Sequence, residues 1–188
     1  MSNAATIDGG TIAPAGTWKV DPAHTRFGFA VKHMGVATVR GHFDEVDGTL
    51  TIGNDLSSAQ ITGAAKAASV QTGVEQRNDH LRSADFFDAE NYPELSFESK
   101  RIEAIDEETY KIVGDLTIHG VTREIELEAE VGGIEVGPSG EDRVGIEATG
   151  KLSRAEYGMK FNAALGSGNA VVGDKVKLVL DISAIREA

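Results

Sequence analysis

An all-β domain, either a sandwich or a closed barrel, is predicted by three features of the sequence. Apolar side chains recur at every second position in run after run, turn residues separate the runs, and glycine is frequent inside them. Alternation sends successive side chains to opposite faces of a strand, so each run offers one face to a core and one to water. At 188 residues the chain is long enough to bury a sizeable core as one domain.

Residues 1–15 are small and polar without any period and are expected to form a flexible N-terminal tail, with the domain spanning 16–188. The first clear strand holds Phe27, Phe29, Val31 and His33 on one face and Arg26 and Lys32 on the other. The same period marks Val46 to Ile52, Leu95 and Phe97, and Tyr110 to Ile118. It continues through Ile125, Leu127, Ala129 and Val131, where Glu124, Glu126, Glu128 and Glu130 form the wet face. Val144, Ile146 and Ala148 give another strand, and Val176, Leu178, Leu180 and Ile182 give a long final one. Turns are expected at Asp47-Gly48, Gly53-Asn54, His119-Gly120, Gly132-Gly133, Pro138 to Gly140 and Gly173-Asp174. One segment departs from the pattern: Val74, Arg77, Asn78 and Leu81 recur at helical spacing and predict a short helix over 74–83. Such a helix serves either as a lid over a barrel end or as a connector packed outside the sheet.

A sheet that closes on itself loses its exposed edges, and at about eight strands its interior can hold one small ligand. Glycines within or beside the strand runs, Gly28, Gly41, Gly48, Gly63, Gly114 and Gly150 among them, mark bends or missing side chains. The run from Ile61 to Ser69 is thin on both faces. Phe27, Phe29, Met34, Phe43, Phe86, Phe87, Tyr92, Phe97, Met159 and Phe161 are the candidates for a tunnel wall, because aromatic and Met side chains give broad contact with alkyl or isoprenyl groups. A filled core is the competing reading.

Composition narrows the function classes. The formal charge of −12, with no Lys/Arg run, argues against nucleic acid and anionic membrane surfaces. With no Cys there is neither a disulfide nor a thiolate nucleophile. The N-terminal residues lack the basic and apolar regions of a secretory signal, giving the expectation of a cytoplasmic protein, and no run is apolar enough for a membrane-spanning helix. His24, His33, His42, His80 and His119 have no close pairing that would make a metal site, and there is no GxSxG elbow or nucleotide fingerprint. No metal, cofactor or catalytic residue is therefore assigned. Three polar clusters stand out: Asp21 to His24, with its turn-forming Asp-Pro; Arg77 to Arg82 on the predicted helix; and Arg154, Tyr157 and Asn162 around Gly158-Met159. Each suits either head-group recognition or structural pairing.

Several stretches, in order, resemble the YceI-like family of polyisoprenoid-binding proteins. GTWKVDPAHTRFGFAVKHMG, RGHFDEVDGTLTI, RNDHLRSADFFDAENYPELSFES, GDLTIHGVTREIEL, and LSRAEYGMKFN with VVGDKVKLVLDIS match its motifs from about Trp18 to Ile185. Asn78, where an Asp is frequent, and Tyr157, where Phe is common, depart from the pattern. The resemblance implies an extended, antiparallel, lipocalin-like barrel of about eight strands with a helix beside it, a homodimer, and a tunnel for a polyisoprenoid, isoprenoid quinone or fatty amide. Binding and sequestration or transport of such a molecule is the leading expectation, with Phe27, Phe29, Met34, Phe43, Phe86, Phe87, Met159 and Phe161 as wall and His24, Arg82 and Asn162 as polar contacts. The alternatives are an enzyme using His33 or His80 as general base on a bound lipid or quinone, and a dimeric stress-response structural module.

Overall fold

The computed structural model describes residues 4–7, 10–54, 58–163, 165, 167 and 170–188. Its main body is a closed antiparallel barrel of eight staves. Three staves are broken strands: β3 (Gly16–Val20) with β4 (Arg26–His33), β5 (Ala37–Phe43) with β6 (Val46–Ile52), and β7 (Gln60–Lys66) with β8 (Val70–Gln71). The other five are β9 (Glu94–Ala104), β10 (Thr109–Ile118), β11 (Val121–Val136), β12 (Asp142–Ser153) and β13 (Val172–Arg186). Each stave pairs with the next along the chain, and β13 closes the circle by pairing with β12 on one edge and with β3 and β4 on the other. A preceding hairpin, β1 (Ala4–Ile7) and β2 (Gly10–Pro14), forms a separate two-stranded sheet. Part of the expected tail is thus strand, and Ala13 is fully buried in the main core; residues 1–3 and 8–9 of that tail lie outside the described residues.

The alternating runs all fall within strands, but three expected turns do not form. Gly48 lies inside β6, where an added Cβ would come within 2.8 Å of Val20, so its missing side chain serves packing. Gly132-Gly133 sits in a bulge of β11, between the Val131 and Gly133 register points against β12. Gly173 falls in the irregular stretch of β13 between the Val172 and Val176 pairings with β4. The expected turn at His119-Gly120 is present: both residues have positive φ (54° and 72°) and close a two-residue hairpin between Ile118 and Val121.

The break between β3 and β4 is set by Asp21-Pro22. Proline cannot donate to a ladder, and a single 3-10 turn, Pro22–His24, follows it. Asp21 caps this turn, accepting from the Ala23 N–H at 3.1 Å, and pairs with His24 Nδ1 at 2.7 Å and with Arg143 Nη1 of β12 at 2.8 Å. The Asp21 N–H donates to the Ser183 carbonyl of β13 at 2.8 Å. The kink is therefore tied to the neighbouring stave β13 and, beyond it, to β12.

The helix α1 (Glu75–Arg82) joins β8 to β9 and starts one residue inside the expected range at Val74, which is its N-cap. Its fully buried Asn78 accepts from Thr72 N–H (2.8 Å) and Thr72 Oγ1 (2.7 Å) and donates to Gln71 Oε1 (2.8 Å), fastening the helix to the end of β8.

The Arg143 guanidinium, followed by His24, holds the Asp21 carboxyl down at about 2. A carboxylate with a depressed folded pKa contributes stability that is complete above its ordinary titration range and lost as pH falls toward the folded value. Asp21→Asn is expected to cost about 1 kcal/mol at neutral pH, allowing for solvent screening of a surface pair. Chemical denaturation between pH 5 and about pH 2 will show a flatter acid limb in the variant than in the wild type.

Candidate ligand-binding site

The inward faces of the staves do not fill the barrel. Two apolar chambers lie inside, an inner one of about 180 Å³ and an outer one of about 270 Å³. They share Phe29, Phe43, Leu95, Ile118 and Leu178 as walls, so they abut end to end.

Position along the strands orients this bore. On β3, β10 and β12 the innermost lining residues are Val20, Ile112 and Ile146. One inward step further down the same strands stand Trp18, Tyr110 and Val144, all but fully buried, which form the floor. Trp18 is fixed there by an indole N–H bond to the Pro14 carbonyl at 3.0 Å. In the opposite direction the wall continues through Phe27, Phe29, Val31 and His33 on β4 and through Leu178, Val176 and Val172 on β13. From Ala184 to Val172 this is about 40 Å of strand, or roughly 30 Å along the axis for an ordinary barrel tilt.

At the far end, side chains of α1 and of two irregular segments form a cap. Arg77, His80 and Leu81 of α1, Phe86 and Phe87 after it, and Met159 and Phe161 from the segment between β12 and β13 all border the outer chamber. The aromatic rings interlock: Phe86 meets Phe161 at 5.5 Å, His80 meets Phe161 at 4.7 Å and Phe86 at 5.0 Å, and Phe43 meets Phe87 at 5.5 Å, each edge to face. The helix is thus part of the lid and not a connector on the barrel exterior.

Arg154 holds this lid. It is buried, and it donates to four backbone carbonyls: Nε to Gly173 (2.8 Å), Nη1 to Met159 (2.7 Å) and Phe161 (2.8 Å), and Nη2 to Val172 (3.1 Å). Its guanidinium carbon lies 5.8 Å from the Phe86 ring centre, within range of a cation–π contact. Burial pushes its pKa below the ordinary arginine value.

The structure sorts the residues expected from sequence. Phe27, Phe29 and Phe43 line the bore, and Phe86, Phe87, Met159 and Phe161 line its capped end. Met34 does not: it occupies the β4–β5 turn with a φ of 55° and is exposed, because the hairpin must reverse there. Tyr92 is also outside, packed edge-on against His119. None of the three expected polar contacts borders either chamber. His24 is bound to Asp21 at the β3–β4 kink. Arg82 faces away from the bore, paired with Glu75 (3.0 Å) and Asp79 (2.8 Å) and bonded to the Ala68 carbonyl. Asn162 uses its amide to clasp the Val172 backbone, donating to its carbonyl and accepting from its N–H. Leu95, Ile118 and Leu178 also line the bore, placed inward by the alternation of β9, β10 and β13, and Arg154, one of the polar residues around Gly158-Met159, borders the outer chamber.

A model of the YceI-like domain matches residues 18–184. The chain belongs to this family. Among YceI-like relatives, a UPF0312 protein of Staphylococcus aureus (strain N315) is 36% identical over 162 residues, covering 84% of this chain and 90% of the relative. The Campylobacter jejuni YCEI protein has a crystal structure that superposes with a TM-score of 0.71 at 30% identity, covering 84% of this chain and 90% of that one. The fold is shared with Burkholderia cenocepacia BcnA (TM-score 0.75, 19% identity, 87% and 98% covered). It is shared also with a polyisoprenoid binding domain from Saccharophagus degradans (TM-score 0.66, 15% identity, 90% and 98% covered). Tyr157, read from the sequence as a departure from the family's pattern, is buried. Its hydroxyl is buried without a hydrogen-bond partner among the described residues, and burial pushes its pKa up to about 12.

An unpaired buried hydroxyl costs about 1–3 kcal/mol of desolvation that a phenyl ring avoids. Tyr157→Phe is therefore expected to raise stability by about 1 kcal/mol in denaturant titrations; a clear loss would mean that the hydroxyl has a partner in solution.

Proposed function

We propose that this protein binds and sequesters or carries a long-chain apolar molecule, a polyisoprenoid, an isoprenoid quinone or a fatty amide, within the barrel, and performs no chemistry on it. The observation that carries this reading is the bore itself: two abutting apolar chambers, floored by Trp18, Tyr110 and Val144 and capped by an interlocked aromatic lid. No ionisable side chain lines the inner chamber, where Thr49, Thr62 and Ser96 are the polar ones among the described residues. Apolar burial then supplies the driving force, at about 0.8 kcal/mol per CH₂ before ordering costs. The polyisoprenoid binding domain of Saccharophagus degradans, which has the same fold, supports the choice of ligand class. His80, one of the two histidines considered as a general base, has Nε2 engaged by Asp85 at 2.9 Å and its ring packed against Phe86 and Phe161, which suits a wall. The proposal extends to a homodimer.

Native mass spectrometry of freshly purified protein, followed by organic extraction, tests both parts. The expected result is a dimer with an extractable long-chain guest. Gly63, on the inward face of β7 opposite Gly48, has space for a side chain: an added Cβ would meet nothing nearer than Phe27 and the Asp47 carbonyl at 3.9 Å. Gly63→Leu is expected to fold like the wild type while losing most of the guest. Full guest retention in a folded Gly63→Leu protein would place the ligand elsewhere.

A further inference from the structure

The outer surface of the barrel carries its charges unevenly. On β7, β9 and β10 the cations are neutralised: Lys66 pairs with Glu94, Lys100 with Asp115 and Glu124, Arg101 with Glu103, and Lys111 with Glu103 and Glu126. On the other side of the tube β12, β13, β4 and β5 lie edge to edge, and outside the bore they present Lys151, Lys175, Lys177, Lys32 and Arg40. All of these are exposed, and none forms an ion pair among the described residues. Register lays three of them in one line: Lys151 stands opposite Lys177, Lys177 opposite Ala30, and Ala30 opposite Arg40. Like charges facing each other across a ladder destabilise it, so this line lacks an anion. Asp174, next to Lys175, is taken up by Ser153 Oγ at 2.5 Å and by the Ala155 N–H at 3.0 Å. Glu147 and Asp181 lie further toward the floor, in line with Arg26.

The sequence conceals this face. A net charge of −12 and the lack of any Lys/Arg run predict indifference to anionic surfaces, but these cations come from separate strands and meet only once the sheet closes. An apolar tip stands beside them. The β4–β5 turn follows Lys32, and its Met34 and Val36 are 43% and 83% exposed. Met34 and Gly35 have positive φ (55° and 73°), and the Met34 N–H is anchored to the Val171 carbonyl at 2.8 Å.

Charge and apolarity together select the occupant. A soluble polyanion would satisfy the lysines but leave the tip in water. A second copy related by a two-fold axis would set this basic patch against itself. A bilayer surface meets both demands, with anionic head groups for the cations and an acyl boundary for the tip. The acids of β9, β10 and β11 face away across the tube, and screening over about 8 Å at physiological salt removes most of their repulsion. We propose that this face, the five cations with the Met34–Val36 tip, docks the protein on an anionic lipid bilayer. The docking rests on the outer surface alone and holds whether or not the bore carries a guest.

Co-sedimentation with vesicles of phosphatidylcholine, alone or mixed with phosphatidylglycerol, tests it. The wild type is expected to sediment with the anionic vesicles, to stay in solution with the neutral ones, and to be released by high salt. Each cation near the surface is worth about fivefold in binding. The double variant Lys151→Gln, Lys177→Gln is therefore expected to bind about 25-fold more weakly while melting at or above the wild-type temperature. Lys100→Gln with Lys111→Gln changes the net charge equally on the opposite side and is expected to bind within about twofold of the wild type. Met34→Ser with Val36→Ser is expected to weaken binding to the anionic vesicles. Should the first double variant not fold, Lys32→Gln with Arg40→Gln takes its place. A wild type that stays in solution with anionic vesicles overturns the proposal, as does a folded Lys151→Gln, Lys177→Gln protein that binds them undiminished. Unchanged binding by the Met34→Ser, Val36→Ser protein overturns the part given to the tip. Retention on heparin without vesicle binding would make a soluble polyanion the partner. Salt-sensitive self-association lost in Lys151→Gln, Lys177→Gln, again without vesicle binding, would make it a second copy; either result overturns the bilayer.

Discussion

The ladder along β13 is the constraint on which the rest depends. This one strand has both edges paired, with β12 on one side and with β3 and β4 on the other, and that turns a meander into a tube. Closure removes the exposed edges on which unwanted pairing could start, and it fixes which residues face inward, because a strand's register decides the face of every side chain on it. A closed tube of eight staves has more interior than its own small residues can fill where glycine and alanine line it, as at Gly48, Gly63, Ala64 and Ala65. The cavity is thus a consequence of closing the sheet with thin staves.

Two devices keep that tube from collapsing or flooding. At the floor, Trp18 and its neighbours pack as an ordinary core, so the lower end is held by apolar burial. At the cap the material is irregular backbone, which must satisfy its carbonyls without a ladder. Arg154 does this for four carbonyls at once from a single planar group, a task a lysine's point charge performs poorly.

The barrel was largely legible in the sequence because alternation is a local signal that each strand carries by itself. Glu124, Glu126, Glu128 and Glu130 against Ile125, Leu127 and Ala129 give the inside and outside of β11 directly. Glycine was less legible, since one residue type serves a turn at Gly120, a bulge at Gly133 and close packing at Gly48, and only the neighbouring strand tells them apart. The site divided along the same line. Aromatic residues on strands fell into the bore, whereas Met34 was lost to a hairpin and Leu95, Ile118 and Leu178 looked like ordinary core. His24, Arg82 and Asn162 each proved to bond to nearby backbone or carboxylates. Arg154 stands out in the sequence beside Tyr157 and Asn162, but which carbonyls it bonds, two of them 18 and 19 residues away, only the fold decides.

The central claim is that a hydrocarbon tail fills the bore from the lid downward, and calorimetric titration with a homologous series of straight-chain alcohols tests it most directly. Affinity is predicted to rise by about 0.8 kcal/mol per added CH₂, about fourfold per carbon, and then to level off once the tail reaches the Trp18 floor. Affinities independent of chain length would contradict the account, because they would mean that the tail stays in water.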